Sequence, residues 1–158
     1  MRGMRRKDRE MEKASALALF QSTSWMTLSM IGAEEGGQPY AIPLSFVMVG
    51  EELFFHGARA GYKRECLLSD NRVCVTAVAF AETDAPAFSV AYQSVVAKGR
   101  AFLVEDESLK REALRKFCEK YTPSEMDRFD SSWEHHRLAT EIWRIELLEW
   151  SGKQRKFE

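Results

Sequence analysis

The apolar positions of this 158-residue chain follow two periods, and the strand period covers more of it than the helical one. Over 25–31, Met26, Leu28 and Met30 fall on one face and Trp25, Thr27, Ser29 and Ile31 on the other, which predicts a strand. The turn formers of 32–39 separate it from a second strand over 40–49, and Gly50-Glu51-Glu52 separates that from a third over 53–56. Together these make an antiparallel meander. Residues 72–80, rich in β-branched and aromatic side chains, predict a fourth strand, after which 81–86 interrupts the pattern. A long stretch over 88–104, strand-like to Leu103, carries Gly99 as the mark of a bend or bulge. Over 140–150, Ile142, Arg144, Glu146 and Leu148 alternate with Trp143, Ile145, Leu147 and Glu149 in a closing strand.

Helical spacing is confined to four places. Met11, Ala14, Leu17, Ala18 and Phe20 predict a short helix over 11–21, and Cys66, Leu67 and Leu68 another over 63–69. Leu109, Ala113, Leu114, Phe117, Cys118 and Tyr121 give the clearest one, over 108–121, stopped by Thr122-Pro123, with a further short helix near 126–133. About six strands with few helices, and no βαβ alternation, describe a mainly β barrel with helical decoration rather than a Rossmann sheet.

Composition narrows the picture. The length suits a single domain spanning 1–158, with 1–9 expected to be a solvated arm. Lysine plus arginine total 23 against 24 acidic residues, a formal charge of −1, so no overall field draws in nucleic acid or an anionic membrane. Any anion must be held locally. The odd set Cys66, Cys74 and Cys118 fits neither a redox pair nor a zinc ribbon and reads as small buried hydrophobes in a reducing cytosol. With no long apolar run and no cleavage pattern, the expectation is a soluble, cytoplasmic protein. His135-His136 are adjacent and point apart, so no metal site is expected, and no catalytic triad or P-loop signature occurs.

The densest cluster of unusual residues runs from Pro39-Tyr40-Ala41-Ile42-Pro43-Leu44-Ser45-Phe46 through Leu53-Phe54-Phe55-His56-Gly57-Ala58 to Gly61-Tyr62-Lys63. Pro43 removes a ladder donor in mid-strand, which an edge or rim tolerates. Gly57, Ala58 and Gly61 let the backbone come close to a ligand, and Lys63 sits in a first helical turn, where free N–H groups favour a phosphate. Alone, the proline strand is equally a plain edge strand, and the Gly-x-Lys spacing reads first as turn glycines before a solvated lysine. His56 ends an apolar strand, as a core histidine or as a ligand-site residue.

These segments, with Tyr92-Gln93-Ser94-Val95 and Gly99-Arg100 further on, and with both ends of the chain, resemble the FMN-binding split-barrel proteins. The family is the pyridoxamine-5′-phosphate-oxidase-like one, and the likeness is to its nitroimidazole-resistance branch. The resemblance implies a six-stranded antiparallel split β-barrel that binds FMN as a homodimer. It places Ile42, Pro43, Leu44 and Ser45 along the flavin ring, largely through main-chain atoms. Phe55, His56, Gly57, Ala58 and Lys63 follow beside the cofactor and its phosphate, with Tyr92, Gln93, Ser94 and Val95 completing the cofactor set. It makes His56 the candidate catalytic residue. Trp143 and Trp133 are candidates to cover the ring or the dimer seam, with core packing as their simpler role. The implied activity is oxidoreduction of small nitroaromatic substrates with a reduced nicotinamide, NAD(P)H, as donor. Alternatives are a non-catalytic FMN carrier or sensor, and heme or deazaflavin binding on the same barrel. Vitamin B6 oxidation fits poorly, because the ending Gly152-Lys153-Gln154-Arg155-Lys156-Phe157 departs from that enzyme's C-terminal motif.

Overall fold

A computed structural model describes residues 3–157. In chain order the elements are β1 (Glu10–Met11), α1 (Lys13–Ser22), β2 (Trp25–Ile31), β3 (Pro39–Ser45), β4 (Val47–Val49) and β5 (Glu52–Ala58). There follow α2 (Tyr62–Ser69), β6 (Arg72–Asp84), β7 (Ser89–Leu103), α3 (Glu107–Tyr121), α4 (Phe129–His136) and β8 (Thr140–Arg155), with short 3-10 turns at Lys7–Arg9 and Pro123–Arg128. The six long strands carry the expected mainly β, antiparallel split barrel, and β1 and β4 are short additions.

The sheet order is β3-β2-β6-β7-β8-β5-β4, with β1 on β8. The two outermost strands, β3 and β4, are consecutive in sequence and separated only by Phe46, so the sheet must curl until its two edges meet. The predicted strand over 40–49 is therefore two strands. Its break is made by α3: the Phe46 N–H donates to the Tyr121 hydroxyl at 3.1 Å, and the Phe46 carbonyl lies 2.7 Å from that hydroxyl. The Lys120 ammonium donates to Phe46 O at 3.1 Å and to Thr23 O at 2.6 Å. A backbone group that leaves the ladder must find another partner, and the end of α3 provides it.

The core lies inside the curl. Met26, Leu28 and Met30 of β2 turn inward, as their alternation predicts, to join Val73, Val75, Val95 and Ala97 of β6 and β7. α1 caps one side with Ala16, Leu19 and Phe20, whose ring meets Phe46 edge-on at 5.9 Å. Trp143 stacks on Phe55 at 6.4 Å and is 2% exposed, which assigns it to the core; Trp133, on α4, is buried as well. Gly99 does mark a bulge: the β7–β8 register shifts between Lys98 and Gly99, and a Cβ on Gly99 would lie 2.3 Å from the Glu146 carbonyl.

Other boundaries move. Residues 81–84, expected to interrupt the fourth strand, continue β6 and pair with 89–92. The hairpin end is fixed by a buried pair, Asp84 with Arg155 at 2.9 Å, where β8 runs five residues beyond its predicted end. Met11 belongs to β1 rather than to a helix, and pairs with Gly152. The expected arm is partly ordered, since Lys7–Arg9 form a turn and Glu10 pairs with Lys153; Met1 and Arg2 of that arm lie outside the described residues. Of the cysteines only Cys66 is fully buried, and Cys74 and Cys118 are half-buried. No helix among the described residues is long and apolar enough to cross a membrane.

Candidate functional site

Side chains alternate across β5, so Phe55 and Gly57 face the inside of the curl, where Phe55 is fully buried, and the more exposed His56 faces the opposite way, onto α3. Lys63, in the first turn of α2, lays its ammonium over the Phe55 ring, 5.1 Å from the centroid. The same atom stands 3.0 Å from where a Cβ of residue 57 would be. Glycine at 57 thus makes room for the ammonium. Gly61, at φ 118°, provides the left-handed turn that starts α2 without a side-chain cap; the Arg64 N–H donates back to the Gly61 carbonyl at 2.9 Å, which leaves the Tyr62 and Lys63 N–H groups without intrahelical acceptors.

The Lys63 ammonium is half-buried, and burial alone pulls its pKa below the ordinary lysine value. No ion pair or hydrogen bond reaches it among the described residues. A desolvated cation without an anion is unfavourable unless a ligand supplies one. Its sequence neighbour differs: Arg64 Nε donates to both Glu141 oxygens, at 3.1 and 3.0 Å, and Glu141 is 6% exposed. Glu141 is the cross-strand partner of Gly57, so its side chain emerges on the same face as the ammonium. On the far side of α2 the Tyr62 hydroxyl donates to Glu34 and the Tyr62 ring meets Tyr40 at 4.9 Å. That hydrogen bond raises the Tyr62 pKa to about 12 and lowers that of Glu34, tying the β2–β3 turn to the helix.

The remaining predicted residues divide by face. On β3, Ala41, Pro43 and Ser45 point outward, whereas Ile42 and Leu44 pack on the core and offer a ligand only their backbone. Pro43 does sit in an edge strand, as its missing N–H requires. On β7, Tyr92 and Ser94 point outward, Gln93 turns inward to donate to Gln154 at 3.2 Å, and Val95 is fully buried. β2 and β6 separate β3 from β7, so the outward residues of these strands stand roughly 14 Å apart across one subunit. Only Phe55, Gly57 and Lys63 converge directly. His56 meets the Phe117 ring edge-on at 4.9 Å, and burial, then Lys63, lower its pKa below 6.5.

Residues 12–154 match the model of the pyridoxamine 5′-phosphate oxidase family. The chain belongs to that family. No curated protein sequence matches it. Among solved structures, this oxidase-family chain is similar to a conserved hypothetical protein of Mycobacterium tuberculosis (TM-score 0.81, 20% identity, 96% of this chain and 90% of that one). It is similar also to a Bacteroides thetaiotaomicron protein assigned provisionally to 5-nitroimidazole antibiotic resistance (0.73, 20%, 91% and 85%). A third is the flavocytochrome Anf3 of Azotobacter vinelandii (0.76, 24%, 98% and 72%). These likenesses establish the split-barrel fold.

Two features of this family member escaped the sequence reading. One is the Arg64–Glu141 pair; its signal is an acid at the inward parity of β8, in line with Trp143 and Ile145. The other is Trp25, 64% exposed and the register partner of Ser45, on an outer face shared with Thr27, Pro43, Thr76 and Val78. These five side chains carry no charge, while Lys98 and Lys153 stand further along the same face. Elsewhere a cleft of about 460 Å³ between α3 and α4 is lined by Cys118, Arg128, His135 and His136, whose two imidazoles touch edge-on at 4.6 Å.

Proposed function

We propose that this chain is a flavoprotein that binds FMN as a homodimer, with Lys63 on the phosphate and the outer faces of β3 and β7 along the ring. The observation that carries the reading is the half-buried Lys63 ammonium with no protein anion, beside a glycine and an uncapped helix start. A terminal phosphate fits such a place in charge. Solved structures with the same fold include the flavocytochrome Anf3 and FAD-binding proteins, which supports a flavin as the occupant. The separation of the β3 and β7 groups within one subunit favours a ring held between two copies, and the exposed apolar side chains of Trp25 and Val78 on the outer face suit such a seam.

In this reading the activity is reduction of small nitroaromatic or related electron-poor compounds with a reduced nicotinamide. When bound, a flavin supplies the two-electron chemistry. The protein's own part is to hold the phosphate through Lys63, keep the ring against the main chain of Ile42 to Ser45, and shield it with Tyr92 and Ser94. His56 is the candidate proton donor. A non-catalytic carrier or sensor is favoured by one observation: the His56 side chain faces Phe117, away from the face that holds Lys63.

The test is the visible spectrum of the purified protein, with the mass of the small molecule released on denaturation. FMN supports the proposal; FAD, heme or a deazaflavin in its place overturns it. Nicotinamide-dependent reduction of a nitroimidazole, abolished in His56→Ala with FMN retained, supports catalysis; turnover unchanged in that variant removes His56 from the chemistry.

A further inference from the structure

Lys63, Arg64 and Glu141 meet beside Gly57 of β5, with two cations and one buried carboxylate between them. The carboxylate has two possible partners. Glu141 emerges beside Gly57, and the Lys63 ammonium lies directly over Gly57, so Glu141 is within side-chain reach of Lys63. Cross-strand Cβ positions are about 5 Å apart, a gap that a glutamate side chain can close to an ammonium already standing over Gly57. Yet Glu141 is taken by Arg64, whose Nε donates to both oxygens at 3.1 and 3.0 Å. A guanidinium satisfies a buried carboxylate through its fixed fork of donors better than a single ammonium does.

We infer that Arg64 is a positioning residue that occupies the buried Glu141 carboxylate and so keeps the Lys63 ammonium open for the phosphate of a flavin mononucleotide. This rests on the reading of Lys63 as the phosphate site. Without the guanidinium, Glu141 would be a buried charge without a partner, a state costly enough to recruit the nearest cation. Lys63 would then be closed as an anion site although neither it nor Gly57 had changed. Two other roles are possible for the pair: a plain structural clamp on α2, or an ion pair with no bearing on the ligand. The clamp predicts weaker FMN binding when the carboxylate is lost, and the idle pair predicts no change when the guanidinium is lost.

The experiment compares FMN and riboflavin binding to the full-length apoprotein by flavin fluorescence. Riboflavin lacks the phosphate, so the ratio of the two affinities reports the phosphate site alone. In the wild type FMN binds more tightly than riboflavin, and Lys63→Met removes that preference; if it does not, the phosphate-site reading falls whatever Arg64 does. Given that preference, Arg64→Met weakens FMN on the order of tenfold, about 1.4 kcal/mol, with riboflavin unchanged. Adding Glu141→Gln to Arg64→Met restores FMN affinity to within about threefold of the wild type, because no carboxylate then competes for Lys63. Glu141→Gln alone, a near-isosteric change, binds FMN at least as tightly as the wild type. This variant tests the clamp even where Arg64→Met fails to fold. Weaker FMN binding by Glu141→Gln overturns the inference in favour of a clamp, and an unchanged preference in Arg64→Met overturns it outright.

Discussion

The Tyr121 hydroxyl accepts the Phe46 N–H at 3.1 Å and stands 2.7 Å from the Phe46 carbonyl, taking the place of a strand partner where the sheet's two edges meet. Tyr121→Phe leaves that N–H unpaired, while Lys120 still serves the carbonyl. The expected loss is about 1–3 kcal/mol, read as a lower urea midpoint with an unchanged slope.

Gly99 admits no side chain, because its Cβ would lie 2.3 Å from a backbone carbonyl that cannot turn aside. Gly99→Ala should destabilise by at least about 2 kcal/mol through displacement of β8 at the bulge, measured by chemical denaturation. An equal stability would show that the bulge can slide.

His56 provides a pH signature. Its folded pKa lies below 6.5 because burial and the Lys63 charge disfavour the imidazolium. A depressed basic group binds its proton more weakly in the folded state. The stability it contributes is whole above pH 6.5 and is lost as the pH falls through the lower folded value. Urea midpoints of the wild type should therefore drop more between pH 7.5 and pH 5 than those of His56→Gln, by an amount reduced by the solvent that reaches the ring. Identical profiles would show that His56 titrates normally.

Val78 lies on the same outer face as Trp25, where the proposed seam would run, and is 53% exposed in the single chain. Val78→Asp should leave the subunit's folding nearly untouched, within about 0.5 kcal/mol, but turn a dimer into monomers in sedimentation. If flavin is held between copies, the variant also loses it at micromolar concentration. A dimer that survives this charge places the seam elsewhere.

Much of the barrel was legible because its strands have one wet face and one dry one: Met26, Leu28 and Met30 are buried as their alternation requires. The break at Phe46 was not, since nothing in the local pattern marks it and its cause is a tyrosine 75 residues away. Residues 81–84 lack apolar alternation and are strand only through pairing with β7 and the Asp84–Arg155 pair. At the site, local motifs pointed to Lys63 and Gly57. Glu141 joins them only across the sheet, so the adjacency that gives Arg64 its role is absent from any single window of sequence.

The position of β8 between β5 and β7 also sets a schedule for synthesis. Glu52 pairs with Arg144, 92 residues downstream, so the β4–β5 hairpin leaves the ribosome with one side unpaired. At ordinary elongation rates its neighbour follows only after roughly 5 to 20 s. During that interval Leu53, Phe54 and Phe55 have no sheet to enter, which makes this hairpin the segment on which chaperones would be expected to act.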